Sequence, residues 1–235
     1  MTPELLLALD VPDADAALAL VRRFAGRCRF VKIGLELFTA EGPTIVRAVQ
    51  ATGADVFLDL KLHDIPNTVR AAARRAAALG VRLLTVHASG GEAMVAASVE
   101  GAGTRCGILG VTVLTSLTPA EVTTAWGRPD AVDVEHEVLR LAAIAARAGA
   151  HGVVCSGREL PMVVAAHGGR LAPLVPGVRP AGVGADDQAR VVTPERAAAD
   201  GARYLILGRA VTASPAPEAT WDAIVSAVTA ASAAG

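Results

Sequence analysis

The sequence predicts an α/β fold, a single (β/α)8 TIM barrel, from three observations. Eight apolar, β-branched runs alternate with Ala-rich amphipathic stretches along the 235 residues, and such alternation is typical of a parallel sheet packed against helices. No linker interrupts the pattern, so we expect one catalytic domain over residues 1–235, a length near the lower end for this barrel. No GxGxxG follows the first run, which disfavours the alternative, a doubly wound open sheet.

The eight apolar runs are predicted to be strands, because parallel strands that are buried on both faces are nearly continuous in Val, Ile and Leu. They cover residues 4–11, 29–35, 55–62, 82–88, 106–115, 152–156, 171–178 and 203–210. Two long connections, 117–132 and 176–193, do not fit the short-loop pattern. Long loops within a compact domain are usually lids, binding loops or disordered segments.

The amphipathic stretches between the strands are predicted to be helices. They cover residues 15–25, 43–52, 67–79, 92–99, 134–148, 158–166, 194–199 and 218–231. Several are followed by a glycine, as expected where a residue in the left-handed conformation ends a helix. These glycines are Gly53, Gly80, Gly149 and Gly201.

Composition excludes several classes of function. The net charge is −1 and the charges are interspersed, so neither a nucleic-acid surface nor a polybasic membrane patch is expected. No apolar segment approaches the roughly 20 residues that span a bilayer, and the segment MTPELLLALD lacks the basic start of a signal peptide. Cys28, Cys106 and Cys155 have no CxxC spacing and are predicted to be buried apolar side chains, not metal ligands or disulfides. A cytoplasmic protein is predicted.

Lysine is rare in this chain. Of 22 basic residues only Lys32 and Lys61 are lysine, and both lie in predicted strands. Arginine is a wide planar fork that stays protonated, whereas lysine is a slender ammonium that can release a proton. The two lysines are therefore more typical of a catalytic site than of charges that keep a surface soluble.

Charged residues cluster at the predicted strand ends, where barrels of this type have their active sites. Asp10 ends the first strand, Lys32 lies on the second, and Asp59 and Lys61 lie on the third. Asp59 and Lys61 are two residues apart, so on a strand both point to the same face. We expect a quartet of alternating charge in which the carboxylates favour the ammonium form of Lys61. The alternative is a purely structural salt-bridge network.

The end of the eighth strand, ILGRAVT, indicates a phosphate site. Loops after strands seven and eight frequently bind phosphate in these barrels. Gly208 lets the backbone approach a ligand closely, and Arg209 supplies a bidentate cation. The predicted substrate is a small phosphorylated metabolite.

Seven segments in order give the chain a close resemblance to the orotidine 5′-phosphate decarboxylase family. They are LALDVP, FVKIGLELF, DLKLHDIPNTV, VHASGG, VTVLTSL, PGVRP with DDQARVVTP, and LGRAVT. The DxKxxD core alone marks a wider superfamily, but the extended HDIPNTV string and the later segments are specific. The resemblance implies decarboxylation of orotidine 5′-phosphate to uridine 5′-phosphate in pyrimidine biosynthesis, with neither a cofactor nor a metal.

The resemblance also implies a role for each matching residue. Asp10 would bind the ribose, Lys32 would join the charged network, Asp59 would lie against the substrate carboxylate, and Lys61 would protonate C6. The remaining expected contacts are Asp64, Ile65 and Thr68 in the site of the partner subunit of a homodimer, Thr115 at the pyrimidine, and Arg179, Gln188, Gly208 and Arg209 at the phosphate and lid. Two departures from the family pattern are Leu62, where Phe is common, and a lid without tyrosine.

Three alternative functions remain open from the sequence. A related sugar-phosphate decarboxylase would use an acidic residue on the second strand to help hold Mg²⁺, a position occupied here by Lys32. An aldolase that forms a Schiff base would need a neutral lysine, which neighbouring carboxylates disfavour. A barrel that only binds nucleotides would keep Arg209 but has no need for four alternating charges.

Overall fold

Eight parallel strands close into a barrel in the computed structural model, which describes residues 1–180 and 192–234. The strands are β1 (Glu4–Leu9), β2 (Phe30–Ile33), β3 (Asp55–Leu62), β4 (Leu83–His87), β5 (Gly107–Val111), β6 (Gly152–Val154), β7 (Ala172–Val175) and β8 (Tyr204–Leu207). Each strand pairs with the next, and β8 pairs with β1 to close the barrel. The predicted barrel is confirmed, and every strand lies within its predicted run.

Helices follow the strands around the outside. They are α1 (Ala14–Arg23), α2 (Leu35–Glu41), α3 (Pro43–Gln50), α4 (Pro66–Ala78), α5 (Glu92–Ala102), α6 (Pro119–Ala125), α7 (Val134–Arg147), α8 (Leu160–His167), α9 (Pro194–Ala199), α10 (Arg209–Thr212) and α11 (Pro217–Ala234). All eight predicted helices are present. The predicted glycine stops are confirmed too, since their φ angles are positive: 87° at Gly53, 79° at Gly80, 76° at Gly149 and 92° at Gly201.

Three of these helices were not predicted: α2, α6 and α10. Helix α2 begins directly after β2 within one apolar run, so the strand predicted over 29–35 extends too far. The connection predicted over 117–132 contains α6, which a capping box begins. The Thr118 side chain accepts from the Glu121 N–H, and the Glu121 carboxylate accepts from the Thr118 N–H. This T-x-x-E spacing is a helix-start signal that the sequence contains.

The inside of the barrel is a stack of side chains from alternate strand residues. Its apolar layers consist of Leu6, Ala8, Phe30, Phe57, Leu83, Leu109, Leu174, Tyr204 and Ile206. Because side chains alternate along a strand, the next inward positions toward the carboxyl ends of β1 to β4 are Asp10, Lys32, Asp59 and Thr85. A polar layer therefore lies directly on an apolar floor.

A charged cluster covers the opposite end of the barrel. The Arg82 guanidinium lies 4.3 Å from the centroid of the Phe30 ring. It donates hydrogen bonds to Glu4 at 2.8 Å and to Asp55 at 3.0 Å. Groups at this end of such barrels contribute to stability rather than to chemistry.

The three cysteines are buried, as predicted. Burial raises the pKa of the Cys28 thiol to about 11 and that of the Cys106 thiol to about 12. Both thiols therefore stay protonated near neutral pH and behave as small apolar side chains. Among the described residues, no helix combines the length and the apolar character needed to cross a bilayer.

Helices α4 and α5 pack closely at Gly101, and a substitution there tests this packing. A Cβ at Gly101 would lie 2.2 Å from the Arg70 carbonyl oxygen, a backbone atom that cannot easily move. We expect Gly101→Ala to lower the free energy of unfolding by about 1–3 kcal/mol, the usual cost of overpacking. Thermal or urea unfolding measures this change.

Gly169→Ala is the matched control, because a Cβ there would meet no atom within 4 Å. We expect its stability to stay within about 0.5 kcal/mol of the wild type. Equal stability of the two variants would contradict the close α4–α5 packing.

Candidate active site

A cavity of about 340 Å³ opens at the carboxyl ends of the strands, a size suited to a small-molecule ligand. Its floor is apolar and includes Ala8, Phe57, Val154, Leu174 and Ile206. Its polar lining comes from six strand ends and consists of Asp10, Lys32, Asp59, Lys61, Thr115, Ser116, Arg179 and Arg209. The site thus has an apolar floor and a polar wall.

Four charged side chains form a continuous chain along one side of the cavity. The Lys32 ammonium lies 2.7 Å from the Asp10 carboxylate and 3.9 Å from Asp59. The same Asp59 oxygen accepts a hydrogen bond from the Lys61 ammonium at 2.8 Å. Lys32 and Asp59 are buried, with 7% and 8% of their surface exposed, whereas Asp10 and Lys61 are open to the cavity. Each buried charge has an opposite charge beside it, which makes its burial tolerable.

The backbone at Lys61 departs from a regular strand. Its φ angle is 48°, a left-handed conformation that is unusual for a residue other than glycine. The pairing of β3 with β4 shifts register between Leu58 and Leu62. The Lys61 N–H donates to the Thr85 hydroxyl at 2.9 Å. Lys61 lies within β3 and its side chain meets that of Asp59, both as predicted, but its backbone is not extended as regular alternation would require.

A second cationic region of the cavity lies after β7 and β8. Gly208 precedes α10, and Arg209 is its first residue. A Cβ on Gly208 would meet Ala8 at 3.7 Å and Asp10 at 4.0 Å, which are ordinary contacts. The neighbouring protein atoms therefore leave room for a Cβ at this position.

Arg179 lies at the start of the long connection after β7. It is 8% exposed, and its N–H donates to the Val192 carbonyl at 3.0 Å. Val178 forms a parallel bridge with Val192, so the two described ends of the connection meet at the cavity. The predicted contact Gln188 lies outside the described residues.

The other predicted site residues fall into two groups. Thr115 lines the cavity together with Ser116. Asp64, Ile65 and Thr68 are exposed on the loop and first turn after β3, and they do not line the cavity of a single described chain. Ile65 is 66% exposed, a high value for so large an apolar side chain.

Two histidines lie close to this charged network. The rings of His63 and His87 are 5.5 Å apart. Burial is the largest cause that holds the pKa of His87 below its usual 6.5, and the nearby His63 and Lys61 lower it further. His87 is therefore mainly neutral near neutral pH and adds no charge beside Lys61. Within the described ranges, no cluster of three or more His, Cys, Asp or Glu side chains could hold a metal ion.

Thr85 is the residue at this site that the sequence analysis missed. It is fully buried, and its hydroxyl donates to the Asp59 carboxylate at 2.9 Å. A signal was available: Thr85 is the one polar residue within the aliphatic run LLTV, two residues after the inward-facing Leu83. Alternation along the strand predicts that it faces the barrel interior beside Asp59.

Comparison with known proteins agrees with this geometry. The model of the "Orotidine 5'-phosphate decarboxylase / HUMPS family" matches residues 3–224. Orotidine 5'-phosphate decarboxylase of Anaeromyxobacter sp. (strain K) is 51% identical over 219 residues, covering 92% of this chain and 94% of that protein. The enzyme of the same name from Cutibacterium acnes is 45% identical over 226 residues, covering 93% of each chain.

Solved structures give the same result. The crystal structure of orotidine 5'-phosphate decarboxylase from Lactobacillus acidophilus superposes with a TM-score of 0.82 at 32% identity. The match covers 97% of this chain and 99% of that one. With a family model spanning nearly the whole sequence and relatives at about half identity, the chain belongs to the orotidine 5′-phosphate decarboxylase / HUMPS family.

Proposed function

We propose that this protein converts orotidine 5′-phosphate to uridine 5′-phosphate and CO2 in pyrimidine biosynthesis, without a cofactor. The observation that carries the proposal is the chain of contacts from Asp10 through Lys32 and Asp59 to Lys61. The same cavity contains Arg179 and Arg209, which suit a phosphate. High identity to relatives named for this activity supports the choice of substrate.

The chemistry requires a site that stabilises a poor anion. When the bond between C6 and the carboxylate breaks, CO2 leaves and the electron pair remains on C6 as a vinylic carbanion. A fixed ammonium beside C6 stabilises this charge in a site shielded from water. Lys61 then donates a proton from Nζ to C6, which gives the product. Its carboxylate partner Asp59, 2.8 Å away, holds the Lys61 ammonium in place for this step.

Asp59 has a second part in this proposal. Its carboxylate is nearly buried beside Lys61, at the place where the substrate carboxylate would lie. Two carboxylates in contact repel each other, and loss of CO2 relieves that repulsion. Such ground-state destabilisation is effective only if the rest of the substrate is held firmly.

The phosphate supplies that firm hold. Arg209 lines the cavity after β8, and Arg179 lines it after β7, close to where the two described ends of the long connection meet. Binding energy from these contacts can order the reacting end of the substrate, although the phosphate takes no part in bond breaking. Thr115 is proposed to contact the pyrimidine, Asp10 the ribose, and Gln188 the lid and phosphate.

The sugar-phosphate alternative is weaker because of Lys32. Its ammonium lies between Asp10 and Asp59, the two carboxylates that would otherwise attract a divalent cation. A cation at that position would meet a positive charge in place of a ligand. A barrel that only binds nucleotides does not account for the buried charges of Lys32 and Asp59, whose desolvation is costly.

The direct test is a spectrophotometric assay with orotidine 5′-phosphate, with and without EDTA. We expect turnover that EDTA leaves unchanged. A strict requirement for added Mg²⁺ would favour the sugar-phosphate branch, and tight nucleotide binding without turnover would favour the binding-only barrel.

Two variants of Lys61 give this assay its control. Lys61→Ala should abolish turnover and leave nucleotide binding largely intact, because it removes a group used mainly at the transition state. Lys61→Arg should fail nearly as badly, since guanidinium does not readily release a proton. If either variant kept more than about a tenth of the wild-type kcat, equivalent to about 1.4 kcal/mol of barrier, Lys61 would not be the donor.

We further propose a cytoplasmic homodimer in which each subunit completes the site of the other. Asp64, Ile65 and Thr68 are exposed in one chain and do not line its own cavity. An apolar side chain as exposed as Ile65 is suited to burial against a partner. In a two-fold dimer, the same three residues of each subunit would reach across to the opposite cavity.

Mixed dimers test the shared site. Lys61→Ala and Asp64→Ala should each be nearly inactive as homodimers, and the two are unfolded and refolded together in equal amounts. Half of the dimers should then be mixed, and each mixed dimer holds one site with intact Lys61 and intact Asp64. Random pairing predicts recovery of about a quarter of wild-type activity. A mixture no more active than its parents, with subunit exchange confirmed, would place Asp64 in the site of its own subunit.

A further inference from the structure

We propose that Thr85 is a positioning residue for this reaction. Its hydroxyl fixes the Asp59 carboxylate and the Lys61 backbone relative to each other. The inference rests on the proposed function and concerns the same site. Thr85 does not line the cavity, so it would act through its neighbours and not on the substrate.

The hydroxyl of Thr85 joins both members of the Asp59–Lys61 pair. As a donor it binds Asp59 Oδ1 at 2.9 Å, and as an acceptor it binds the Lys61 backbone N–H at 2.9 Å. The other carboxylate oxygen, Asp59 Oδ2, accepts from Lys61 Nζ at 2.8 Å. The three groups thus form a closed ring of hydrogen bonds in which each residue contacts the other two.

The backbone of Lys61 explains why such a ring is needed. Among the described residues, Lys61 is the only one other than glycine with a positive φ angle, at 48°. A conformation of this kind persists only where surrounding contacts enforce it. The shift of register between β3 and β4 occurs at this place, and the Thr85 hydroxyl supplies the acceptor for the Lys61 N–H.

The position demands a hydroxyl and not merely a filled volume. Thr85 is 0% exposed, so water cannot replace a lost hydrogen bond. Valine has nearly the same shape but neither donates nor accepts, while serine keeps the hydroxyl and loses only a methyl group. The pair Thr85→Val and Thr85→Ser therefore separates the hydrogen bonds from the packing.

Steady-state kinetics with orotidine 5′-phosphate is the first measurement. Thr85→Val should lower kcat by about ten- to a hundredfold, the usual effect of losing a hydrogen bond to a charged group. Its KM should change by less than about threefold, because the phosphate contacts that dominate binding are intact. Thr85→Ser should retain at least about a third of the wild-type kcat. Thr85→Ala serves as a second variant without the hydroxyl if the valine variant does not fold.

Thr112→Val is the matched control. Thr112 is 3% exposed, and its hydroxyl donates to the Val154 carbonyl at 2.7 Å, a neutral backbone group outside the charged chain. This variant removes a buried hydroxyl of the same kind and should leave kcat within about threefold of the wild type.

Amide hydrogen exchange at Lys61, followed by NMR, provides a readout that does not depend on turnover. The Lys61 N–H should exchange faster in Thr85→Val than in the wild type, and Thr85→Ser should restore its protection. The positioning role would be overturned if Thr85→Val kept the kcat of the wild type. It would also be overturned if Thr85→Ser and Thr112→Val lost as much kcat as Thr85→Val does. An inactive wild-type protein would instead overturn the proposed function.

Discussion

The site depends on the interactions that hold the Asp59 carboxylate in place. This carboxylate is nearly buried, and it is held by the Lys61 ammonium and the Thr85 hydroxyl, with Lys32 3.9 Å away. Two unit charges 4 Å apart interact by about 4 kcal/mol at an effective dielectric constant near 20, so a carboxylate without these partners would be costly to bury. Because the partners come from β2, β3 and β4, the network forms only when the barrel closes with the observed pairing.

The barrel supplies this network through strand alternation. Apolar residues such as Phe30 and Phe57 fill the interior, and the next inward positions toward the carboxyl ends are Lys32 and Asp59. The apolar floor excludes water from beneath the charges and so strengthens their fields. One regular pattern therefore gives both the apolar interior and the charged layer above it. The exception is Lys61, where the pleat is broken and the backbone takes a left-handed conformation.

Much of this could be predicted from residue patterns. The eight strands, eight helices and four glycine stops follow from periodicity and from the conformational freedom of glycine. Helix α2 was missed because one apolar run continues from β2 into it, and the capping signal at Thr118 was overlooked. Because active sites of such barrels lie at the carboxyl ends of the strands, the sequence predicted that Asp10, Lys32 and Asp59 lie together at that end. It could not give the left-handed backbone of Lys61, which depends on a hydroxyl from β4, a strand distant in sequence.

The proposed role of Lys61, which is to stabilise and protonate a carbanion at C6, is tested most directly by the reverse of that step. Uridine 5′-phosphate is incubated with the protein in D2O, and deuterium at C6 is followed by NMR. We expect the wild type to catalyse exchange at C6, since Lys61 must remove the proton that it donates in the forward direction. We expect Lys61→Ala to leave C6 protonated. Two results would contradict this role. One is deuterium exchange at C6 by Lys61→Ala at the wild-type rate, and the other is the absence of exchange in a wild-type protein that decarboxylates orotidine 5′-phosphate.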